Sequence, residues 1–252
     1  MIFAAMLILG CLLGCVGAGG AGLTITMLAV GFGISIHTAL AVALSAMCFT
    51  MLSGTVSHYR EGDVLLRIGI PTSLAGMCGA FLGVRISNAL PDGILANLTG
   101  SLLLFSTLLL YLILFHRELI NRFVAKYGSE KHGAAFYVRT TCLGCVTGFM
   151  SGAFGIGSTA FIQIGLMLLF GISLYHAIGT TMLIILPISV AGGLGYLISG
   201  HLDLVIFLQT LSGLALGAYI GAKFTRLLPP KILNVLILAM PSIGGLLLIF
   251  KR

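Results

Sequence analysis

No Lys, Arg, Asp or Glu occurs before Arg60, and none between Arg139 and Asp203. Stretches this long and uncharged leave a helix or strand no polar side to turn toward water. A bilayer crossing takes about 20 mostly apolar residues. Further runs of that kind cover 93–115, 204–222 and 232–250, closed by His116 and Arg117, by Lys223, and by Lys251 and Arg252. Only 8% of the 252 residues are charged, against about 25% in soluble domains. The chain therefore reads as an all-α polytopic integral membrane protein, with the lipid bilayer as its solvent.

The net charge of +7 lies mostly in one polar segment, "HRELINRFVAKYGSEKHGAAFYVR" (116–139). Lys and Arg collect in cytoplasmic loops because they resist translocation, so this segment reads as a basic cytoplasmic linker and not as a nucleic-acid surface. The cysteines at 11, 15, 48, 78, 142 and 145 fall mostly inside apolar runs, where a free thiol behaves as a small hydrophobe. Cys142 and Cys145 have redox or metal spacing, but no second pair or ligating His stands near them. No metal or cofactor is expected. The N-terminus has no basic n-region or cleavage site, so Met1 onward reads as a retained first helix.

The two halves resemble each other. "GAFLGVRISNALPDGIL" (79–95) realigns 138 residues later on "GAYIGAKFTRLLPPKIL" (217–233), and "GISIHTA" (33–39) meets "GISLYHA" (171–177) at the same offset. Gly54 and Gly62 meet Gly192 and Gly200. With a three-residue shift, "GAGGAG" (17–22) meets "GAFGIG" (152–157). The chain divides into a first transmembrane repeat (1–115), the linker (116–139) and a second repeat (140–252). Each repeat opens on an uncharged run too long for two spans and too short for three. A Gly-broken helical hairpin followed by three spans fits, giving five helical elements per repeat. An odd number places the second repeat upside down, so inverted repeats are expected. Charge counting barely separates this from a parallel arrangement.

Glycine costs about 1 kcal/mol relative to alanine inside a helix. Gly17, Gly19, Gly20 and Gly22 in "GCVGAGGAGLTIT" (14–26), and Gly152, Gly155 and Gly157 in the second repeat, therefore mark helix breaks. Unpaired backbone at membrane depth is tolerated only where protein covers it or where it lines a water-filled cavity. A half-helix that starts there aims free N–H groups and partial positive charge at its surroundings, which suits an anion. Hydroxyl residues follow both breaks: Thr24 and Thr26, then Ser158 and Thr159. Small residues also let helices approach closely, and that account is preferred for "GAFLG" and "GAYIG".

Together these motifs resemble the TauE/SafE sulfite exporter family, also called TSUP. The residues that carry the likeness are "GAGGAGLTIT", "GISIHTALAVALS", "SHYREGDV" and "GAFLGVRISNALP", then "GAFGIGS", "GISLYHAIGTTM", "LISGHLDL" and "GAYIGAKFTRLLP". The resemblance implies a multi-pass secondary transporter that moves sulfite, sulfonates or related small organic anions across the inner membrane. It carries over the two breaks and an A-x-G-T-[ST] stretch, matched by Ala177, Gly179, Thr180 and Thr181. The first repeat reads "AVALS" there; it keeps Ser45 and lacks the Gly-Thr pair, which makes the implied site lopsided.

No carboxylate lies deep in a span, since Glu61, Asp63 and Asp203 fall at span ends. His37, His58, His176 and His201 are the remaining groups that titrate near neutrality. His37 and His176, each opening the span after a break, are the proton-coupling candidates. Alternatively the substrate carries its own proton, as hydrogen sulfite does. Gln163 is a polar group inside an apolar run and joins the candidate site. Arg67 and Arg85 read as snorkelling anchors. No H-E-x-x-H or G-x-S-x-G constellation is present, so enzyme activity is not expected. An anion channel and an assembly factor without flux remain the alternatives, and a homodimer is open.

Overall fold

A computed structural model describes residues 1–16, 21–115, 133–155, 158–225 and 230–250. Among the described residues every regular element is helical. The first half comprises α1 (Ile2–Val16), α2 (Ala21–Thr26), which continues into a π-helical turn (Met27–Gly31), α3 (Ile36–Glu61), α4 (Leu66–Ala89) and α5 (Asp92–Phe115). The second comprises α6 (Ala134–Phe154), α7 (Thr159–Phe170), α8 (Leu174–Ile198), α9 (Leu204–Thr225) and α10 (Pro230–Phe250). Each half comprises five described helical elements. Residues 134–139, read from the sequence as linker, belong to α6. Four described segments are long and apolar enough to cross a bilayer: Ile36–Glu61, Leu66–Ala89, Asp92–Leu112 and Tyr175–Ile198.

Local signals recur at the 138-residue offset. Ser35 caps α3 by accepting from the Thr38 N–H, and Ser173 caps α8 by accepting from the His176 N–H. Gly33 and Gly171, and likewise Gly62 and Gly200, hold left-handed backbone, which glycine adopts without a Cβ penalty.

Packing follows the same exchange. The first helix of each half lies against the fourth helix of the other, α1 on α9 and α6 on α4. A Cβ on Gly79 would sit 2.9 Å from the Phe149 nitrogen, and one on Gly217 would sit 2.7 Å from the Cys11 nitrogen. These are matching contacts, because Gly79 and Cys11 pair with Gly217 and Phe149 under the offset. "GAFLG" therefore serves helix packing throughout, and "GAYIG" does so at Gly217. Helices α3 and α8 pack with their own counterparts crossing: Gly54 faces Met182, and Gly192 faces Leu44. Rising numbers on one helix meet falling numbers on the other, so these equivalent helices run antiparallel.

The outward faces of α4 and α5 carry exposed Leu74, Leu82, Leu98, Phe105 and Leu108, a surface that suits lipid. The interior forms two apolar clusters. One joins Ile25, Leu28, Ile36, Leu40 and Leu44 to Val84 and Tyr196, with Phe154 packed against it. The other joins Ala21 and Met47 to Ile162, Leu166, Ala177 and Ile184.

Candidate functional site

The second break is fully placed on its helix side. Helix α6 ends at Phe154, and Gly155 follows in left-handed backbone at φ 64°, its N–H donating to the Ser151 carbonyl at 2.7 Å. A Cβ there would meet the Leu40 side chain and lie 2.8 Å from Ile25 Cδ1, so α2 and α3 of the first half press on this break. Gly152 lies against Ala80, and a Cβ would strike the Ala80 carbonyl. Ala80 is about 13 Å short of the end of α4 at 1.5 Å per residue, so the break falls within the span.

Ser158 opens α7 at φ 47°, the one non-glycine with positive φ among the described residues. It is 1% exposed. Its hydroxyl does not cap the helix; it donates to the Thr147 carbonyl at 2.8 Å. The first amides of a helix have no intrahelical acceptor, and at α7 they start among buried side chains (Ala160 is 0% exposed). This is the arrangement a small anion would need.

At the first glycine cluster, α1 is described to Val16 and α2 from Ala21, with Gly22 inside α2. Gly17, Gly19, Gly20 and Gly157 lie outside the described residues. Gly22 is buried against Leu103, and Thr24 is buried within α2. Thr26 donates to the Gly22 carbonyl at 2.9 Å and to Gly244 of α10 at 3.2 Å, which ties α2 to α10.

The remaining polar candidates separate. Gly179 backs onto Asp63, and Thr180 Oγ1 accepts the Leu65 N–H at 3.0 Å; both hold the α3–α4 turn. Thr180 is about 24 Å along α8 from Tyr196, whose hydroxyl contacts Gly152. Ser45 Oγ faces Gly193 at the α3–α8 crossing. Thr181 is fully buried and its hydroxyl has no partner among the described residues. Gln163 is 9% exposed and makes no hydrogen bond to a described residue. Both sit beside members of the cluster that contains Ala21, the first residue of α2.

A network missed by sequence reasoning surrounds His37. Its Nδ1 lies 2.7 Å from Asp92 Oδ1 and its Nε2 lies 3.0 Å from the Ser87 carbonyl. Tyr196 Oη is 2.8 Å from Ser87 Oγ and donates to the Gly152 carbonyl at 3.1 Å. The His201 ring stands 5.1 Å from that of His37. His176 has no such surroundings: its Nδ1 meets Ser173 Oγ at 2.8 Å, within its own first turn. The position equivalent to His37 is Tyr175, which is exposed. At the α3–α4 turn, ligand atoms of His58, Glu61 and Asp63 lie within 4.8 Å of one another, with both acids 3.6 Å from His58 Nδ1.

A family model described as sulfite exporter TauE/SafE matches residues 2–248. The chain is 42% identical to "Probable membrane transporter protein YdhB" of Bacillus subtilis (strain 168), over 99% of this chain and 100% of that one. It is 26% identical to "Probable membrane transporter protein YjnA" of the same organism, covering 96% of each. It is 27% identical to "Probable membrane transporter protein" of Xylella fastidiosa (strain 9a5c), over 85% of this chain and 80% of that one. No solved structure matches the chain.

Proposed function

Because the chain belongs to the TauE/SafE sulfite exporter family, we propose that it is a secondary transporter carrying sulfite, sulfonates or related small organic anions across the inner membrane. Its two repeats cross that membrane in opposite senses, a reading supported by the antiparallel crossing of the equivalent helices α3 and α8.

The observation that carries the site assignment is the buried hydroxyl of Thr181, which has no hydrogen-bond partner among the described residues. A buried polar group left unpaired costs about 1–3 kcal/mol, so a bound oxyanion is the partner that offsets it, with Gln163 as a second polar group in the same apolar surroundings. The half-symmetry sharpens this. Ile25, which presses on Gly155, has Gln163 as its counterpart 138 positions on, and Leu40 has Ile178, the neighbour of Gly179 and Thr180. The reading takes its polar groups from α7 and the start of α8, within the stretch Gly179 to Thr181 that the family resemblance implies. The amides that open α7 add positive potential without a buried Lys or Arg, whose desolvation would be costly.

The test is uptake of radiolabelled sulfite into proteoliposomes, with and without a pH gradient, competed by sulfonates, sulfate and acetate. Saturable flux, competed by sulfonates and reduced in Gln163→Leu, is the expected result. Flux that fails to saturate would mean a channel. Absence of flux for sulfite and for every organic anion tried, with folded protein in both gradients, would overturn the transporter reading.

A further inference from the structure

His37 is bonded at both ring nitrogens to oxygens that accept. A backbone carbonyl has no proton to give, so Nε2 must carry one toward Ser87. The 2.7 Å contact between Nδ1 and Asp92 Oδ1 needs a second proton, held on the ring or on the carboxyl. In either form the pair carries one proton more than a neutral imidazole beside a carboxylate. We propose that His37 and Asp92 hold a single exchangeable proton that latches the α4–α5 junction to α3, and that its release frees this junction together with the second break. The proposal deepens the transporter reading and rests on it for its role in coupling.

The surroundings make the two states differ. His37 lies in the first turn of α3, where the helix dipole disfavours a cation, while Asp92 lies in the first turn of α5, where the dipole favours an anion. The His37 side chain is 11% exposed and that of Asp92 is 64% exposed, so the proton exchanges with water on the Asp92 side. When it leaves, only an N–H or O–H bond breaks, and water takes the proton. The two oxygens then face one ring with one N–H, and one of the two contacts must open.

What that contact holds reaches further. Ser87 links the ring to Tyr196, and Tyr196 to the carbonyl of Gly152, three residues before the left-handed Gly155. Asn88 Nδ2 donates to Ser199 Oγ at 2.7 Å, so the same junction also touches the end of α8. The other ionisable groups nearby are His201, whose ring faces His37, and the Tyr196 hydroxyl. Asp203, at the head of α9, is occupied accepting the Val205 and Ile206 amides. The latch is closed while the extra proton is present and opens as pH rises.

The test is hydrogen–deuterium exchange of the Leu90 and Leu95 amides, which donate to the Ser87 and Pro91 carbonyls, in the full-length protein, from about pH 5 to about pH 8, corrected for intrinsic exchange. Losing a hydrogen bond to a charged group predicts that protection falls about tenfold to a hundredfold across this range. Asp92→Asn and His37→Gln should abolish the pH dependence, and His201→Gln should keep it. Unchanged protection in the wild-type protein would overturn the proposal without recourse to any variant. So would a pH-dependent fall that survives in Asp92→Asn or disappears in His201→Gln. Exchange needs no substrate, so a working latch in a protein without anion flux would leave this inference standing while the transporter reading fell.

Discussion

Replacing Gly155 with alanine isolates what the second break requires. Two penalties add at this position. A residue with a Cβ in left-handed backbone costs about 1–2 kcal/mol, and Gly155 has φ 64°. The new methyl group would also press into Leu40 and come within 2.8 Å of Ile25, and overpacking of this kind costs about 1–3 kcal/mol. Gly62 supplies the control. Its φ is 83° and nothing lies within 4 Å of its would-be Cβ, so Gly62→Ala should show the backbone penalty alone. Thermal unfolding in detergent should therefore rank Gly155→Ala below Gly62→Ala, by about 2–4 °C per kcal/mol of difference. A double-mutant cycle identifies the cause. Leu40→Ala is costly alone, but it makes room for the methyl, so the pair should cost less than the sum by about 0.5–3 kcal/mol. Equal midpoints for the two glycine variants, or strict additivity with Leu40→Ala, would refute the packing of α3 against this break.

Four further outcomes follow from the same geometry. A Cβ on Gly148 would strike the Gly76 backbone, so Gly148→Ala should force α4 and α6 apart and lower the melting temperature steeply; Gly93→Ala, with nothing within 4 Å, should be silent in the same assay. Tyr196→Phe strips the Gly152 carbonyl and Ser87 of their hydroxyl partner and should cost about 1–3 kcal/mol, read by denaturant titration. Thr180→Val leaves the Leu65 N–H without its acceptor and should cost a similar amount. Thr181→Val removes a buried hydroxyl that has no partner, so it should raise the stability of the ligand-free protein by about 1–3 kcal/mol while lowering sulfite flux.

The second break was legible because glycine is costly inside a helix, and α6 ends at Phe154 beside the left-handed Gly155; glycine clusters alone do not mark breaks, since Gly192, Gly193 and Gly195 lie inside α8. The five-element halves were legible from segment length. The His37 network was not. Asp92 stands 55 residues from His37, inside Pro91-Asp92-Gly93, which reads as a turn that starts a helix. Nothing in a linear pattern pairs such a carboxylate with a distant ring; only the fold of α4 back onto α3 does. The motif Gly179-Thr180-Thr181 was read as one binding unit, yet adjacent residues on a helix point about 100° apart. Thr180 accordingly braces the α3–α4 turn while Thr181 faces the interior unpaired.

An internal repeat offers a comparison within one chain. Positions that shape the scaffold keep their chemistry in both halves: Ser35 and Ser173 cap, Gly62 and Gly200 turn, Gly79 and Gly217 admit a facing helix. Positions at the candidate site differ: Ile25 stands opposite Gln163, Val42 and Ala43 opposite Thr180 and Thr181, His37 opposite Tyr175. Buried hydroxyls without a described hydrogen-bond partner occur in both halves, Thr55 and Thr99 in the first and Ser151, Thr181 and Thr210 in the second, whereas the His37–Asp92 pair stands in the first half alone. Under the proposed transporter reading, Thr181 on the second-half side would serve the anion and the His37–Asp92 pair on the first-half side would hold the proton. The hydrogen bond from Tyr196, a second-half residue, to Ser87 in the first is where the two parts touch.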